Sequence, residues 1–247
     1  DDRIEANEET RLKYRYLDLR RPIMQKRLMM RHLVAQTTRE YLNKNNFCEI
    51  ENPLLISATP EGASDYVVPS RLHPGTFFSL PQSPQLYKQI LMVSGMDRYY
   101  QLAKCLRDED LRADRQPEFT QIDMEMSFVE EEDIIKLCEG LIKTIWKKVL
   151  GVNLKTPFPR MEYNDAIGKY GSDKPDMRFG LEFTDVTDIV KDSDFQVFKN
   201  SEQVKCINPE KEISRADLDK YVSFCQRNGA KGMVWVKVAE NALDGSI

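Results

Sequence analysis

Arg107, Phe119, Gln121, Asp123 and Glu125 are the residues of this chain whose types and spacing suit chemistry on a charged small molecule. They belong to the stretch RDEDLRADRQPEFTQIDME, whose first seventeen residues include nine charged ones, every positive one an arginine. Arginine presents a planar fork that holds phosphate or carboxylate through two parallel hydrogen bonds, which lysine cannot reproduce. An aromatic ring nearby offers a stacking face for a base. Carboxylates further along can take an ammonium group or a metal ion. The competing reading is a solvated charge run, the ordinary fate of such stretches.

These side chains share a surface only if the flanking segments are paired strands. FTQIDMEMSFV (119–129) alternates, with Thr120, Ile122, Met124, Met126 and Phe128 on a mostly apolar face and Phe119, Gln121, Asp123, Glu125 and Ser127 on the other. Upstream, YYQLAKCLR (99–107) places Gln101, Ala103, Cys105 and Arg107 on one side. An antiparallel hairpin with a loop of about ten residues would join the two polar faces. Gln, Asp, Glu and an aromatic there, where exposed strands commonly carry Lys and Thr, favour a small-molecule site; the pattern alone leaves the solvated face open.

Other elements must frame that hairpin. Ser83 and Pro84 read as N-cap and first residue of a helix through QLYKQILMV, which puts Gln85, Lys88 and Gln89 on one face. SATPEGASD (57–65), carrying Glu61, reads as a loop, and 66–80 as a hairpin turning at HPGT. Pro22 marks the start of a long helix to about Asn43, with Met24, Leu28, Val34, Tyr41 and Leu42 in helical spacing. Met29, Met30 and Leu33 widen its apolar surface, so the helix is either well buried or faces a second subunit. FCEIENPLL (47–55) reads as a short strand meeting Pro53, which confines it to an edge, an end or an interface. Residues 131–150 form the clearest helix, with a core stripe of Ile134, Leu137, Cys138, Leu141, Ile142, Ile145 and Trp146 and Gly151 as its cap. Shorter segments follow from about Met161, including a helix at 214–227 and a strand in GMVWVKV. They read as a separate α+β unit with a boundary near residue 178, giving domains 1–177 and 178–247.

Composition bounds the rest. The chain has 247 residues, 41% hydrophobic and 31% charged, with a net charge of −4. That excludes a global basic field for nucleic acid, so any such contact is local. No apolar run nears the roughly 18 residues of a membrane span. Five scattered cysteines without a CxxC pair argue against a disulfide framework or thiolate zinc site and fit a reducing compartment. Two histidines without an HExxH spacing give no support for a histidine-held metal. A first residue of Asp1 fits a piece of a longer protein.

RDEDLRADRQPEFTQIDMEMSF resembles motif 2 of the class II aminoacyl-tRNA synthetases, and most closely that of the bacterial-type aspartyl enzymes. RYLDLRRP, the long helix and ENPLL resemble motif 1, while TPEGASDYVVPSR and LPQSPQLYKQ are similar to the aspartyl enzymes rather than their lysyl or asparaginyl relatives. The resemblance runs from about residue 11 to the end. It implies an α+β catalytic core built on an antiparallel sheet flanked by helices, followed from about residue 178 by the start of an insertion domain. It implies an aspartate–tRNA ligase: L-aspartate and ATP give aspartyl-adenylate, and aspartate then passes to the 3′-terminal adenosine of tRNA(Asp). By motif match, Arg107 binds the α-phosphate and the aspartate carboxylate, Asp108, Glu109 and Gln116 bind ATP, and Phe119 stacks on adenine. Glu61, Ser83, Gln85, Lys88 and Asp123 bind aspartate, with Lys88 facing the side-chain carboxylate, Asp123 the α-ammonium group and Glu61 on a mobile loop. Mg2+ is implied near Glu109 and Glu125, a homodimer around Pro53, and a cytoplasmic location without membrane association.

Motif 3, with its arginine for the γ-phosphate end of ATP, is not found among the 247 residues, nor is an anticodon-binding domain. The resemblance therefore implies a fragment with little or no adenylation by itself. Two other functions stand beside the ligase: a silent dimerisation or binding module of the same fold, and a synthetase-like ligase of aspartate and ammonia. Binding of an aspartyl-adenylate analogue separates the first from the ligase. Product analysis with ammonia separates the second.

Overall fold

The fixed φ of Pro22 suits a first helical turn, where its missing N–H is not needed. The computed structural model describes residues 6–112, 115–239 and 242–245. In it α1 (Glu8–Lys13) and α2 (Arg15–Asp18) lead into α3 (Pro22–Lys44), with Pro22 in its first turn. Arg11, Arg15 and Arg21 converge on the buried Asp18 at 3.1, 2.5 and 3.1 Å. The Arg11 hydrogen bond, working against burial and helped by Arg21, holds that carboxyl below its ordinary range.

Next in order come β1 (Cys48–Glu49), β2 (Val67–Pro69), β3 (Phe77–Ser79), α4 (Gln85–Val93), β4 (Arg98–Leu106), β5 (Glu118–Met126) and α5 (Glu131–Leu150). β4 is the middle strand of a three-stranded sheet. It pairs in parallel with β1 (Cys48↔Tyr99, Glu49↔Tyr100) and antiparallel with β5, from Arg98↔Met126 to Leu106↔Glu118. β1 is far shorter than the strand expected over 47–55. After the Ile50 N–H reaches the Tyr100 carbonyl at 3.1 Å, the chain leaves the sheet before Pro53, which has no N–H to donate. β2 and β3 form the expected hairpin. α4 begins at Gln85, one residue later than the sequence suggests, and the Ser83 hydroxyl accepts the Gln85 N–H at 3.2 Å.

The core gathers Leu42, Phe47, Tyr100 and Leu137, with Tyr41, Met124 and Met126 packed against them. It joins the second half of α3 to α5 and to one face of the sheet. The first half of α3 is a different environment: Leu28 and Met29 are 53% and 64% exposed. The α5 stripe is likewise half covered, since Leu137 and Leu141 are buried while Ile134, Ile142 and Trp146 reach solvent. Gly151 closes α5 in the left-handed region (φ +71°) with its N–H on the Lys147 carbonyl.

The α3–α5 contact is tight. A Cβ at Gly140 would lie 2.1 Å from the Tyr41 hydroxyl oxygen, and that hydroxyl donates to the Leu137 carbonyl at 3.1 Å. Gly140→Ala is expected to cost about 1–3 kcal/mol through overpacking, outweighing the roughly 1 kcal/mol that alanine gains in helix propensity. Urea denaturation checks this, and an unchanged or higher midpoint would contradict it.

The chain divides into two compact units at Phe158/Pro159, close to the change of texture at about Met161 and ahead of the boundary expected near residue 178. The second unit contains α6 (Tyr163–Tyr170), β6 (Thr184–Asp185), α7 (Thr187–Val190), α8 (Gln196–Lys199), β7 (Lys205–Cys206), α9 (Arg215–Arg227), β8 (Val236–Ala239) and β9 (Ala242–Gly245). β6 pairs with β7 and β8 with β9, both antiparallel. Ser214 caps α9 by accepting the Asp217 N–H at 3.2 Å. The GMVWVKV strand starts only at Val236.

Candidate active site on one face of the hairpin

Antiparallel pairing with this register puts Gln101 opposite Asp123, Ala103 opposite Gln121 and Cys105 opposite Phe119. The polar residues of both strands thus share one face, as the alternation predicts. The covering is the reverse of a solvated sheet. On the polar face Asp123, Gln101, Ala103 and Cys105 are buried, while Ile122 on the nominally apolar face is more than a third exposed. A carboxylate is rarely buried unless its charge is matched.

Asp123 is matched by Lys88 from α4. The Lys88 ammonium lies 2.9 Å from Asp123 Oδ1 and 3.2 Å from Glu125 Oε2. Gln121 Nε2 donates to the same Oδ1 at 3.1 Å. Burial alone would lower the Lys88 pKa, but the hydrogen bond and charge of Asp123, then those of Glu125, outweigh it and raise it. Beneath the pair, Asn52 Nδ2 donates to the Tyr99 hydroxyl at 2.8 Å and to Gln101 Oε1 at 3.0 Å, and the Tyr99 hydroxyl donates to Gln101 Oε1 at 3.1 Å. Burial, with the Asp123 charge beside it, raises the Tyr99 pKa, so the hydroxyl stays a donor. Burial pushes the Cys105 thiol up to about 11 despite the Arg107 charge, so no thiolate nucleophile stands here.

Among the described residues, two buried polar atoms on this face have no partner at hydrogen-bond geometry: Arg107 Nε and Asp123 Oδ2. Such orphans are uncommon in a settled interior and call for an explanation. One is a cationic donor and the other an anionic acceptor. Gln101, opposite Asp123, and Arg107 are six positions apart in the chain, roughly 20 Å of extended backbone. The pair therefore suits an extended ligand with an anion toward one end and an ammonium toward the other. Arg107 also lies over the Phe119 ring, 5.2 Å from its centroid.

The loop ahead of β2 closes over the same region. Glu61 accepts from the Thr59 hydroxyl at 3.1 Å and from the Ser83 hydroxyl at 3.0 Å. Ser64 bridges to Asp108, whose N–H donates to the Ser64 carbonyl at 3.0 Å. Arg107 and Asp108 are thus tied to the Glu61 loop through backbone. Of the residues singled out from the sequence, Glu61, Ser83, Lys88, Arg107, Phe119 and Asp123 come together in this way. Gln85, Asp108, Glu109 and Gln116 are exposed at its margin.

The proposed metal pair does not gather. Glu125 sits opposite Tyr99 near one end of the hairpin and engages Lys88, whereas Glu109 lies beyond the other end, past the Leu106↔Glu118 pair. Among the described residues no group of three His, Cys, Asp or Glu side chains is placed to hold a metal ion. The protein donors therefore do not fit a magnesium site by themselves, and no step is assigned to one. Pro53 is exposed, beside exposed Leu54 and Leu55.

Sequence reasoning passed over Gln82, Asp65, Asn52 and Tyr99. Gln82 and Asp65 join the loop to the start of α4. The one visible signal for Gln82 was a polar residue between two prolines, in PQSP.

The family model described as "tRNA synthetases class II (D, K and N)" matches residues 7–237. An aspartate–tRNA(Asp/Asn) ligase of Persephonella marina (strain DSM 14350 / EX-H1) is 57% identical over 253 residues, covering 100% of this chain and 41% of that protein. An aspartate–tRNA ligase of Geobacillus kaustophilus (strain HTA426) is 54% identical over 253 residues, covering 100% of this chain and 43% of its own length. A crystal structure named as a candidate aspartyl-tRNA synthetase of Leishmania major Friedlin is similar with a TM-score of 0.53 and 28% identity, over 60% of this chain and 28% of that one. The chain thus spans less than half the length of the curated relatives it matches. With an α+β fold, a strand-face site and a family match across nearly its whole length, the chain belongs to the class II tRNA synthetases of the D, K and N group.

Proposed function

We propose that the protein carrying this chain joins L-aspartate to ATP as aspartyl-adenylate and transfers the aspartyl group to the 3′-terminal adenosine of tRNA(Asp). The observation that carries this reading is a pair of buried atoms without a hydrogen-bond partner among the described residues, Arg107 Nε and Asp123 Oδ2, on one strand face. Asp123 Oδ1 is already held by Lys88 and Gln121. Its Oδ2 remains for the α-ammonium group of the substrate. Lys88 uses two of its three N–H donors on Asp123 and Glu125, which leaves one for a side-chain carboxylate. A lysine substrate would set a second ammonium against Lys88, and asparagine would offer it no charge.

In the reaction, an α-carboxylate oxygen of aspartate attacks the α-phosphorus of ATP and pyrophosphate leaves with the bonding electron pair. No protein nucleophile is required. Arg107 holds the carboxylate and the α-phosphate in line and stabilises the charge between them. Phe119 stacks on adenine, while Asp108, Glu109 and Gln116 meet ATP at the hairpin loop. Glu61, Ser83 and Gln85 complete the aspartate site. Magnesium would enter on the phosphates of ATP, since its family role needs their oxygens.

A homodimer, with Pro53 and the exposed half of α3 at its interface, is part of the same reading. So are a cytoplasmic setting and residues 178–247 as the start of an insertion domain. No helix among the described residues is long and apolar enough to cross a membrane. Exchange of labelled pyrophosphate into ATP tests the proposal: it should depend on aspartate. Exchange driven equally by asparagine or lysine, or none with aspartate, would reject it.

A further inference from the structure

Gln82 lies between β3 and α4, is 2% exposed, and spends its whole amide on one loop. Its Oε1 accepts the Ala63 N–H at 3.0 Å, and its Nε2 donates to the Ala63 carbonyl at 2.7 Å and to Asp65 Oδ1. A single side chain thereby treats Ala63 as a strand partner would, with one bond in each direction. Two residues before Ala63 stands Glu61, and one residue after Gln82 stands Ser83, whose hydroxyl donates to Glu61 Oε2 at 3.0 Å. Gln82 and Ser83 are thus a double fastening, one through backbone and one through the carboxylate itself. The other tether of this loop, Ser64 to Asp108, leads to the arginine strand end.

We propose that Gln82 is a positioning residue for Glu61: its buried amide fixes the 59–65 loop so that the Glu61 carboxylate meets the amino acid at the mouth of the site. This rests on the reading of Glu61 as an aspartate ligand. These bonds favour the closed position of the mobile loop, so less freedom is lost when the substrate binds. The consequence falls mainly on aspartate, because Gln82 and Ser83 fasten the loop beside Glu61, whereas Asp108 keeps its own backbone bond to Ser64.

The test uses the full protein that carries this chain. Gln82→Glu keeps the side-chain size but turns the Nε2 donor into an oxygen facing the Ala63 carbonyl and Asp65. It should raise the KM for aspartate in pyrophosphate exchange about ten- to hundredfold and leave the KM for ATP within about twofold. Adding Asp65→Asn supplies an amide that can donate to the new carboxylate, and should recover part of that loss. Gln82→Met, which fills the same space without charge, should repeat the aspartate-selective rise and carries the test if Gln82→Glu does not fold. An unchanged KM for aspartate in a folded variant, equal rises for aspartate and ATP, or no recovery in the double variant would overturn the proposal. Exchange that survives Arg107→Lys and Lys88→Met would instead overturn the parent reading, so the two failures are distinguishable.

Discussion

Arg107→Lys is expected to slow aspartate-dependent adenylation by roughly 30- to 1000-fold, a loss of about 2 to 4 kcal/mol of transition-state stabilisation. Lysine keeps the positive charge but loses the fork, so it cannot hold a carboxylate and an α-phosphate in one plane. It also loses the planar group that lies over Phe119. The stability of the fold should hardly change, because the buried Nε has no hydrogen-bond partner among the described residues. Pre-steady-state kinetics with a matched melting curve measures both. A near-normal rate would remove Arg107 from the chemistry, and a large loss of stability would make its role structural.

Lys88→Met carries the second large effect, and it divides between stability and binding. The Lys88 and Asp123 side chains are 12% and 2% exposed, so removing the cation leaves a buried carboxylate uncompensated. Breaking such a pair from one side costs about 3–5 kcal/mol. Asp123 keeps the Gln121 hydrogen bond, which argues for the lower end. The Glu125 contact adds little, since its side chain is 37% exposed. Lys88 and Asp123 replaced together by Met and Asn should recover most of the stability and none of the aspartate binding. That separation is what a ligand-binding pair predicts and a purely structural pair does not.

The pH sign for this pair follows from the raised Lys88 pKa. A cation stabilised in the folded state contributes fully below its ordinary value of 10.5 and loses that contribution as pH rises through the folded value. The difference in melting temperature between wild type and Lys88→Met should therefore be constant across neutral pH and narrow only above about 10.5.

What was legible in the sequence was local. The alternation over 119–126 foretold which residues share a strand face, because parity is a property of extended backbone. The cap of α5 was visible because Gly151 acts on its own helix end, whereas Ser214, counted inside the 214–227 helix, is the N-cap of α9. Which face is covered depends on what folds over it, and no period reports that. Lys88 and Asp123 are 35 positions apart, so the pairing that helps cover the polar face leaves no local mark. The 47–55 strand shrank to two residues, the chain leaving the sheet after Ile50 and ahead of Pro53, and the α5 stripe proved only half buried. The resemblance implied Mg2+ near Glu109 and Glu125, yet the hairpin carries the two to different ends. Gln82 stayed hidden because its three bonds go to a loop seventeen to nineteen positions earlier.

The central claim is that one strand face, from Asp123 to Arg107, receives an aspartyl-adenylate. Calorimetric titration of a non-hydrolysable aspartyl-adenylate analogue into the protein carrying this chain tests it most directly. Binding is predicted, weakened at least tenfold by Asp123→Asn and by Arg107→Lys alike. No detectable binding at millimolar protein, or binding indifferent to both substitutions, would contradict it.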